Sequence, residues 1–106
     1  MWAVAYRVAP ALVAMEESVT RWLCAEFGLP PGAAGLVTTG GSMATLTAVV
    51  AARQDRLGED LAGATLYATA HTHHSVAKAA RIAGLPRQAL RLVPTCLLYT
   101  SDAADE

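Results

Sequence analysis

Residues 35–94 alternate between short apolar runs bounded by turn residues and longer runs with helical spacing. The short runs have the composition of buried strands: "GLVTT" at 35–39, "ATLYATA" at 64–70 and "ALRLVP" at 89–94. The longer runs lie between them, at 43–57 and 75–83. This strand–helix–strand–helix–strand order with short connections predicts an α/β fold in which crossover helices join parallel strands.

A further helix is predicted before this alternating region, over residues 10–27, because Pro10 suits a first helical turn. Its apolar side chains recur at helical spacing and form one stripe: Leu12, Met15, Val19, Trp22, Leu23 and Phe27. The sequence "GLP" then ends the helix, with Gly28 as a left-handed cap and a proline that prevents continuation. A second "GLP", at 84–86, ends the helix predicted at 75–83.

The composition is that of a folded protein whose surface is partly covered by further protein. The chain is 54% hydrophobic and 16% charged, which is too apolar for a disordered segment. No apolar stretch reaches the roughly 20 residues that a membrane span needs. The formal charge of −1 predicts neither nucleic acid nor anionic lipid as a partner. The helix at 43–57 is apolar almost all round, so we expect it to be covered on most sides.

The cysteines and the N-terminus bear on the compartment. Cys24 and Cys96 are far apart and form no CxxC pattern, so neither a disulfide framework nor a zinc site is predicted. The segment "MWAVAYRVAP" has no basic region followed by an apolar one, so we expect no secretion signal. A cytoplasmic, reduced protein is therefore expected.

The segment "CLLYTSDAADE" at 96–106 differs in composition from the rest, with three of the nine acidic residues and no arginine or valine. It resembles the translation of a transposase-type sequencing adapter, and segments of that origin are excluded from fold prediction. We therefore divide the chain into a helix with its lead-in at 1–34, part of a large domain at 35–95, and a non-native tail at 96–106. Residues 1–95 are expected to be a piece of a longer gene product.

Two unusual loops follow predicted strands, at the sheet edge where open α/β sheets bind ligands. In "TTGGS", Gly40 and Gly41 let backbone N–H groups face a ligand, and Ser42 adds a hydroxyl at the start of a helix. The helix dipole and the absence of acidic residues in the first turn favour an anion there. Taken alone, a tight turn with Ser42 as N-cap is the better explanation. No Walker A or GxGxxG pattern is present, so nucleotide binding is not predicted.

The second loop, "AHTHHS", contains all three histidines of the chain: His71, His73 and His74. The His71-x-His73 pair is similar to the first metal-binding pair of amidohydrolase-type enzymes, but a catalytic metal normally needs a third protein ligand. The alternative is an imidazole that stacks on another flat ring. His74 is expected to point away from His73, and both His71 and His74 are also compatible with loop and capping roles.

Taken together, "GLVTTGGSMATLTAVVAAR" and "HTHHSVAKAARIAGLP" resemble the group II pyridoxal-phosphate-dependent amino-acid decarboxylases, the family of the aromatic-L-amino-acid decarboxylases. The resemblance runs from about residue 9 to residue 95, and it implies part of the parallel-sheet large domain of a fold-type I enzyme that binds pyridoxal 5′-phosphate. In that family the small-residue loop receives the cofactor phosphate, which maps to Gly40, Gly41 and Ser42. The histidine two residues before Ser-Val stacks on the pyridine ring, which maps to His73.

The resemblance also implies a function: an amino-acid carboxy-lyase, with aromatic amino acids as substrates and a homodimer as the full-length form. The family's Schiff-base lysine and the aspartate that pairs with the pyridinium nitrogen lie beyond the third predicted strand. Lys78, the only lysine, is expected on a polar helix face with Arg81, so we assign no catalytic residue and expect this chain alone to be inactive and poorly soluble. Another fold-type I enzyme, an aminotransferase or lyase, and a metal-dependent hydrolase using His71 and His73 remain alternatives.

Overall fold

The computed structural model describes residues 7–95, so the tail at 96–106 lies outside the described residues. The chain forms two compact units that divide between Thr39 and Gly40. The regular elements are, in chain order, α1 (Pro10–Glu26), α2 (Gly41–Leu57), β1 (Leu66–Thr69), α3 (Ser75–Ile82), a 3-10 turn (Arg87–Ala89) and β2 (Leu90–Val93). None of the helices described is both long enough and apolar enough to cross a membrane.

Helix α1 of the first unit begins and ends where the sequence predicts. Its first residue is Pro10, and its end is closed by a left-handed glycine, Gly28, at φ 65°. The Gly28 N–H donates to the Ala25 carbonyl at 3.0 Å, and the Leu29 N–H donates to the Cys24 carbonyl at 2.9 Å. This pair of bonds is the Schellman arrangement, which satisfies carbonyls that the helix leaves without partners.

The apolar stripe of α1 is exposed. Val13 is the buried residue of the helix, whereas Leu12 is 66% exposed, Trp22 59% and the adjoining Phe27 77%. Helical spacing therefore identified the apolar face correctly, but the unit that contains α1 does not bury it. Exposed apolar surface of this extent is typical of a face that contacts further protein.

The strand predicted at 35–39 is not formed, and that prediction is wrong. Residues 33–38 have no regular secondary structure, and a bend follows at residues 39 and 40. The backbone N–H of Val37 donates to Oε1 of Glu16 at 2.8 Å, so a side chain of α1 takes the place of a neighbouring strand. Glycine boundaries and β-branched residues favour an extended segment, but a strand also requires a backbone partner.

The second unit confirms the α/β class. Strands β1 and β2 are parallel, with Leu66 opposite Leu90 and Thr69 opposite Val93. Helix α3 connects the two strands, as a parallel pair requires. The part of the chain that the structure describes thus contains a two-stranded sheet in place of the three strands predicted.

The core of the second unit is small and built mostly from alanine. Its buried members are Ala64, Ala80, Leu85 and Ala89, with Val49, Leu57, Leu61 and Leu66 packed against them. The second "GLP" turn brings Leu85 into this core: Gly84 has φ 84°, and the Leu85 N–H donates to the Ala80 carbonyl at 2.9 Å. The turn thus ends α3 and also supplies the largest buried side chain among residues 40–95.

Helix α2 is less covered than predicted. No residue of α2 is buried, and Met43 is 48% exposed and Val50 39%. Its contacts with other elements are chiefly with α3, and these contacts leave much of a side-chain surface that is apolar almost all round exposed.

Candidate functional site

The turn before α2 has a backbone conformation that selects glycine. Gly40 is the N-cap of α2, with φ 158° and ψ 169°, a region that is essentially restricted to glycine. A Cβ added at Gly40 or at Gly41 would meet no atom within 4 Å. The helix begins two residues earlier than predicted, so Gly40 occupies the N-cap position and the alternative of Ser42 as N-cap is wrong.

The first turn of α2 offers backbone donors to an anion. The bond from the Ala44 N–H to the Gly40 carbonyl, 3.0 Å long, is the first of the helix. The amides of residues 41–43 lie in the first helical turn, before the first acceptor within the helix, and they carry the positive end of its dipole. No acidic side chain lies in this turn, and the side of the glycines is open space.

The Ser42 hydroxyl is available, unlike other hydroxyls of the same helix. Thr45 donates its hydroxyl to the Gly41 carbonyl at 2.9 Å, and Thr47 donates to the Met43 carbonyl at 2.8 Å. Ser42 lies too close to the helix start to have a helical carbonyl four residues before it. Within residues 7–95 its side chain forms no hydrogen bond, so it remains free to donate to a ligand.

His73 is tied to the start of α3 through Ser75. Nδ1 of His73 lies 2.9 Å from the Ser75 hydroxyl and 3.2 Å from the Ser75 backbone nitrogen. Because a backbone N–H can only donate, Nδ1 must present its lone pair, and we assign the ring proton to Nε2. Ser75 is 6% exposed, so it is a firm anchor for a histidine that is itself exposed.

His74 does not point away from His73, and that prediction is wrong. The two ring centroids are 4.1 Å apart, with 34° between the ring planes. His74 occupies the N-cap position of α3, as expected, but its side chain makes no capping bond. His71 is a loop residue whose backbone N–H donates to the Thr69 hydroxyl at 3.3 Å.

One cavity lies between α2 and α3, the helices that follow the two loops. It has a volume of about 220 Å³ and is lined by Ser42, Met43, Leu46, Ser75, Lys78, Ala79 and Ile82. Ser42 and Ser75 therefore line the same cavity, and His73 is bonded to one of these lining residues, Ser75. Lys78 also lines the cavity, although it is exposed as predicted for a helix-surface lysine.

The metal-site alternative for the histidine loop needs a third ligand beside His71 and His73. Among the residues that the structure describes, no group of three or more His, Cys, Asp or Glu side chains comes together in a way that could hold a metal ion. The spacing of His71 and His73 is therefore weak support for a metal site, because two imidazoles alone do not hold a catalytic metal.

Residues 2–103 match the family model of the pyridoxal-dependent decarboxylase conserved domain. The chain belongs to this family. The match extends into the segment at 96–106, whose assignment as a non-native tail stays a prediction. The family description implies pyridoxal 5′-phosphate as the cofactor, in agreement with the resemblance found in the sequence.

Three curated decarboxylases are similar to this family member. An aromatic-L-amino-acid decarboxylase of Bacillus atrophaeus is 37% identical over 81 residues, covering 76% of this chain and 17% of its own length. A tyrosine decarboxylase of Oryza sativa subsp. japonica is 35% identical over 101 residues, covering 86% of this chain and 19% of its own length. An L-aspartate decarboxylase of Metarhizium robertsii is 38% identical over 96 residues, covering 84% of this chain and 19% of its own length. The chain thus spans less than a fifth of the length of each relative.

The groups found at the site suit the family's cofactor. The open turn at the positive end of the α2 dipole and the Ser42 hydroxyl match an anionic phosphate. The exposed imidazole of His73 matches a flat heteroaromatic ring. The sequence prediction missed Ser75 and the ring contact of His74. A serine two residues after a histidine is a usable signal for the first, because polar side chains at such spacing bond the backbone N–H two residues on.

Proposed function

We propose that this chain is part of a pyridoxal-phosphate-dependent L-amino-acid decarboxylase that acts on aromatic amino acids. In this proposal Gly40, Gly41 and Ser42 bind the cofactor phosphate, and His73 stacks on the pyridine ring. The observation that carries the proposal is the cavity that Ser42 shares with Ser75, the residue that holds His73. Membership of the pyridoxal-dependent decarboxylase family supports the reaction class.

The residues of this chain bind and orient the cofactor in the proposed enzyme. The amides at the start of α2 and the Ser42 hydroxyl hold the phosphate, which fixes one end of the molecule. The imidazole of His73 confines the ring plane at the other end. When bound, the cofactor supplies an electron sink for the electron pair left on the α-carbon as carbon dioxide leaves.

The preference for aromatic amino acids rests on two of the relatives, which are named as aromatic-L-amino-acid and tyrosine decarboxylases. The L-aspartate decarboxylase is equally similar, so the substrate has to be measured directly. Carbon dioxide release by the complete enzyme that contains this segment should be faster from L-tyrosine, L-phenylalanine or L-tryptophan than from L-aspartate. Faster release from L-aspartate would reject the aromatic assignment, and amino transfer to a 2-oxo acid without release would reject the decarboxylase.

The isolated chain should not turn over. Its single lysine, Lys78, is exposed on α3, and a Schiff-base lysine needs burial or a neighbouring charge that favours the neutral amine. We expect no carbon dioxide release when the purified chain is mixed with pyridoxal 5′-phosphate and L-tyrosine. A homodimeric full-length protein in the cytoplasm stays a prediction.

A further inference from the structure

We propose that His74 and Ser75 are positioning residues that fix the imidazole of His73 from two sides. Ser75 holds the Nδ1 edge of the ring, and His74 covers one of its faces. The opposite face of His73 is thereby left for the pyridine ring of the cofactor. The inference rests on the proposed function, because it concerns how the stacking histidine is held.

Ser75 controls the rotation and the tautomer of the ring. Two donors of this residue, the hydroxyl at 2.9 Å and the backbone N–H at 3.2 Å, converge on Nδ1 of His73. The lone pair of Nδ1 lies in the ring plane, so two donors aimed at it restrict how far the ring can turn. Ser75 is 6% exposed, so little water competes for its hydroxyl.

His74 controls which face of His73 is open. A centroid distance of 4.1 Å and a plane angle of 34° mean that the ring of His74 lies against one face of its neighbour. Both side chains are exposed. Because His74 already restricts the ring of His73, His73 loses less conformational entropy when a third flat ring stacks on it than an isolated histidine would. A single face of His73 therefore remains for stacking.

The tautomer also suits the charge of the cofactor. When Nδ1 accepts from the Ser75 N–H, the proton of a neutral ring lies on Nε2. A neutral ring avoids like-charge repulsion with a pyridinium, whereas an imidazolium would lose the bond to the Ser75 N–H and repel the cofactor ring. Ser75 thus favours the form of His73 that stacks well.

The tautomer is tested first, in the complete enzyme without cofactor, by nitrogen NMR of selectively labelled histidine. The wild-type enzyme should show His73 protonated at Nε2, and Ser75→Ala, which keeps the backbone N–H but loses the hydroxyl, should keep this tautomer and shift the Nδ1 resonance. Ser18→Ala is the matched control, because its hydroxyl donates to the Ala14 carbonyl of α1. An unchanged His73 spectrum in Ser75→Ala would overturn the role of Ser75.

Affinity for pyridoxamine 5′-phosphate, which binds without a covalent bond to lysine, is tested next by fluorescence titration. Ser75→Ala should weaken binding by about twofold to tenfold, the effect of one hydrogen bond. His74→Ala should weaken it by about twofold to tenfold, and His74→Phe, which keeps a flat ring, should restore it. His71→Ala should bind as the wild type does, since His71 contributes its backbone to the loop.

A third variant separates the two levels of the proposal. If His73→Ala leaves the affinity unchanged, the stacking role of His73 itself is wrong. If His73→Ala weakens binding while Ser75→Ala and His74→Ala do not, the positioning inference fails and the proposed function stands. Circular dichroism of each variant checks that the fold is retained.

Discussion

Ser42 and Ser75 line one cavity of about 220 Å³, although they belong to different helices, α2 and α3. Ser42 lies at the end of the site that suits a phosphate, and Ser75 is bonded to the imidazole that suits a ring. A cofactor that carries both groups on one rigid molecule can therefore be held from both loops at once. The consequences for binding and for stability can be measured.

The free hydroxyl of Ser42 should contribute to phosphate binding. We expect Ser42→Ala to weaken the binding of pyridoxamine 5′-phosphate by about tenfold, because a hydrogen bond to a charged group is lost. Thr45→Val is the matched control, since the Thr45 hydroxyl is already bonded to the Gly41 carbonyl. Equal losses in the two variants, measured by isothermal titration calorimetry, would contradict a special role for Ser42.

The ring of His73 should contribute through its shape. His73→Phe keeps a flat ring but loses both bonds to Ser75, so it should bind pyridoxamine 5′-phosphate more weakly than the wild type and about twofold to tenfold more tightly than His73→Leu. The two replacements are both apolar, so the comparison isolates planarity. Fluorescence titration measures both, and equal affinities would argue against stacking.

The conformation of Gly40 should make substitution costly. Gly40→Ala should lower the free energy of unfolding by about 1–3 kcal/mol, because alanine is strained at φ 158° and ψ 169°. Gly41→Ala is the control: Gly41 is the first helical residue, and its Cβ would meet no atom within 4 Å. It should be neutral or stabilising by up to about 1 kcal/mol in urea denaturation. A similar effect of both changes would show that the Gly40 backbone is not selective.

The two "GLP" turns provide a matched pair for core packing. Leu85 is 9% exposed in the core, whereas Leu29 is 51% exposed after the same Schellman turn. Leu85→Ala should cost about 2–4 kcal/mol, and Leu29→Ala should stay within about 0.5 kcal/mol. Urea denaturation measures both, and a large loss for Leu29→Ala would mean that its side chain is buried in the complete protein.

The bond from Val37 to Glu16 should protect one amide. Glu16→Ala should speed hydrogen exchange at the Val37 N–H by about threefold to tenfold, because its acceptor at 2.8 Å is removed. Glu26→Ala changes an exposed carboxylate on the same helix and should leave that rate unchanged. Exchange at Val37 that does not respond to Glu16→Ala would rule out the carboxylate as its partner.

Sequence reasoning succeeded where the signals act within a few residues. Proline at the start of α1 and left-handed glycines at the ends of α1 and α3 were predicted correctly, because caps depend on adjacent backbone. Strands β1 and β2 were found from composition and spacing, with boundaries that differ by one or two residues at each end. The same reasoning predicted the start of α2 two residues too late, since a glycine N-cap carries no side-chain signal.

The candidate site was predicted in outline, and its internal contacts were not. The resemblance to a family led to Gly40, Gly41, Ser42 and His73, none of which the residue pattern alone assigned to a cofactor. Neither Ser75 nor the ring contact of His74 was anticipated, because each depends on side-chain rotamers at the start of α3.

The amino-acid sequence alone determines which segments form helices and where those helices end, because spacing and capping are local interactions. It also determines that the fold class is α/β. Only the folded arrangement decides that Val37 donates to a carboxylate of α1 and not to a neighbouring strand. It also decides that the "GLP" leucine is buried in one turn and exposed in the other. Those outcomes depend on which distant surfaces are available as partners. Chemically similar segments therefore end in different environments.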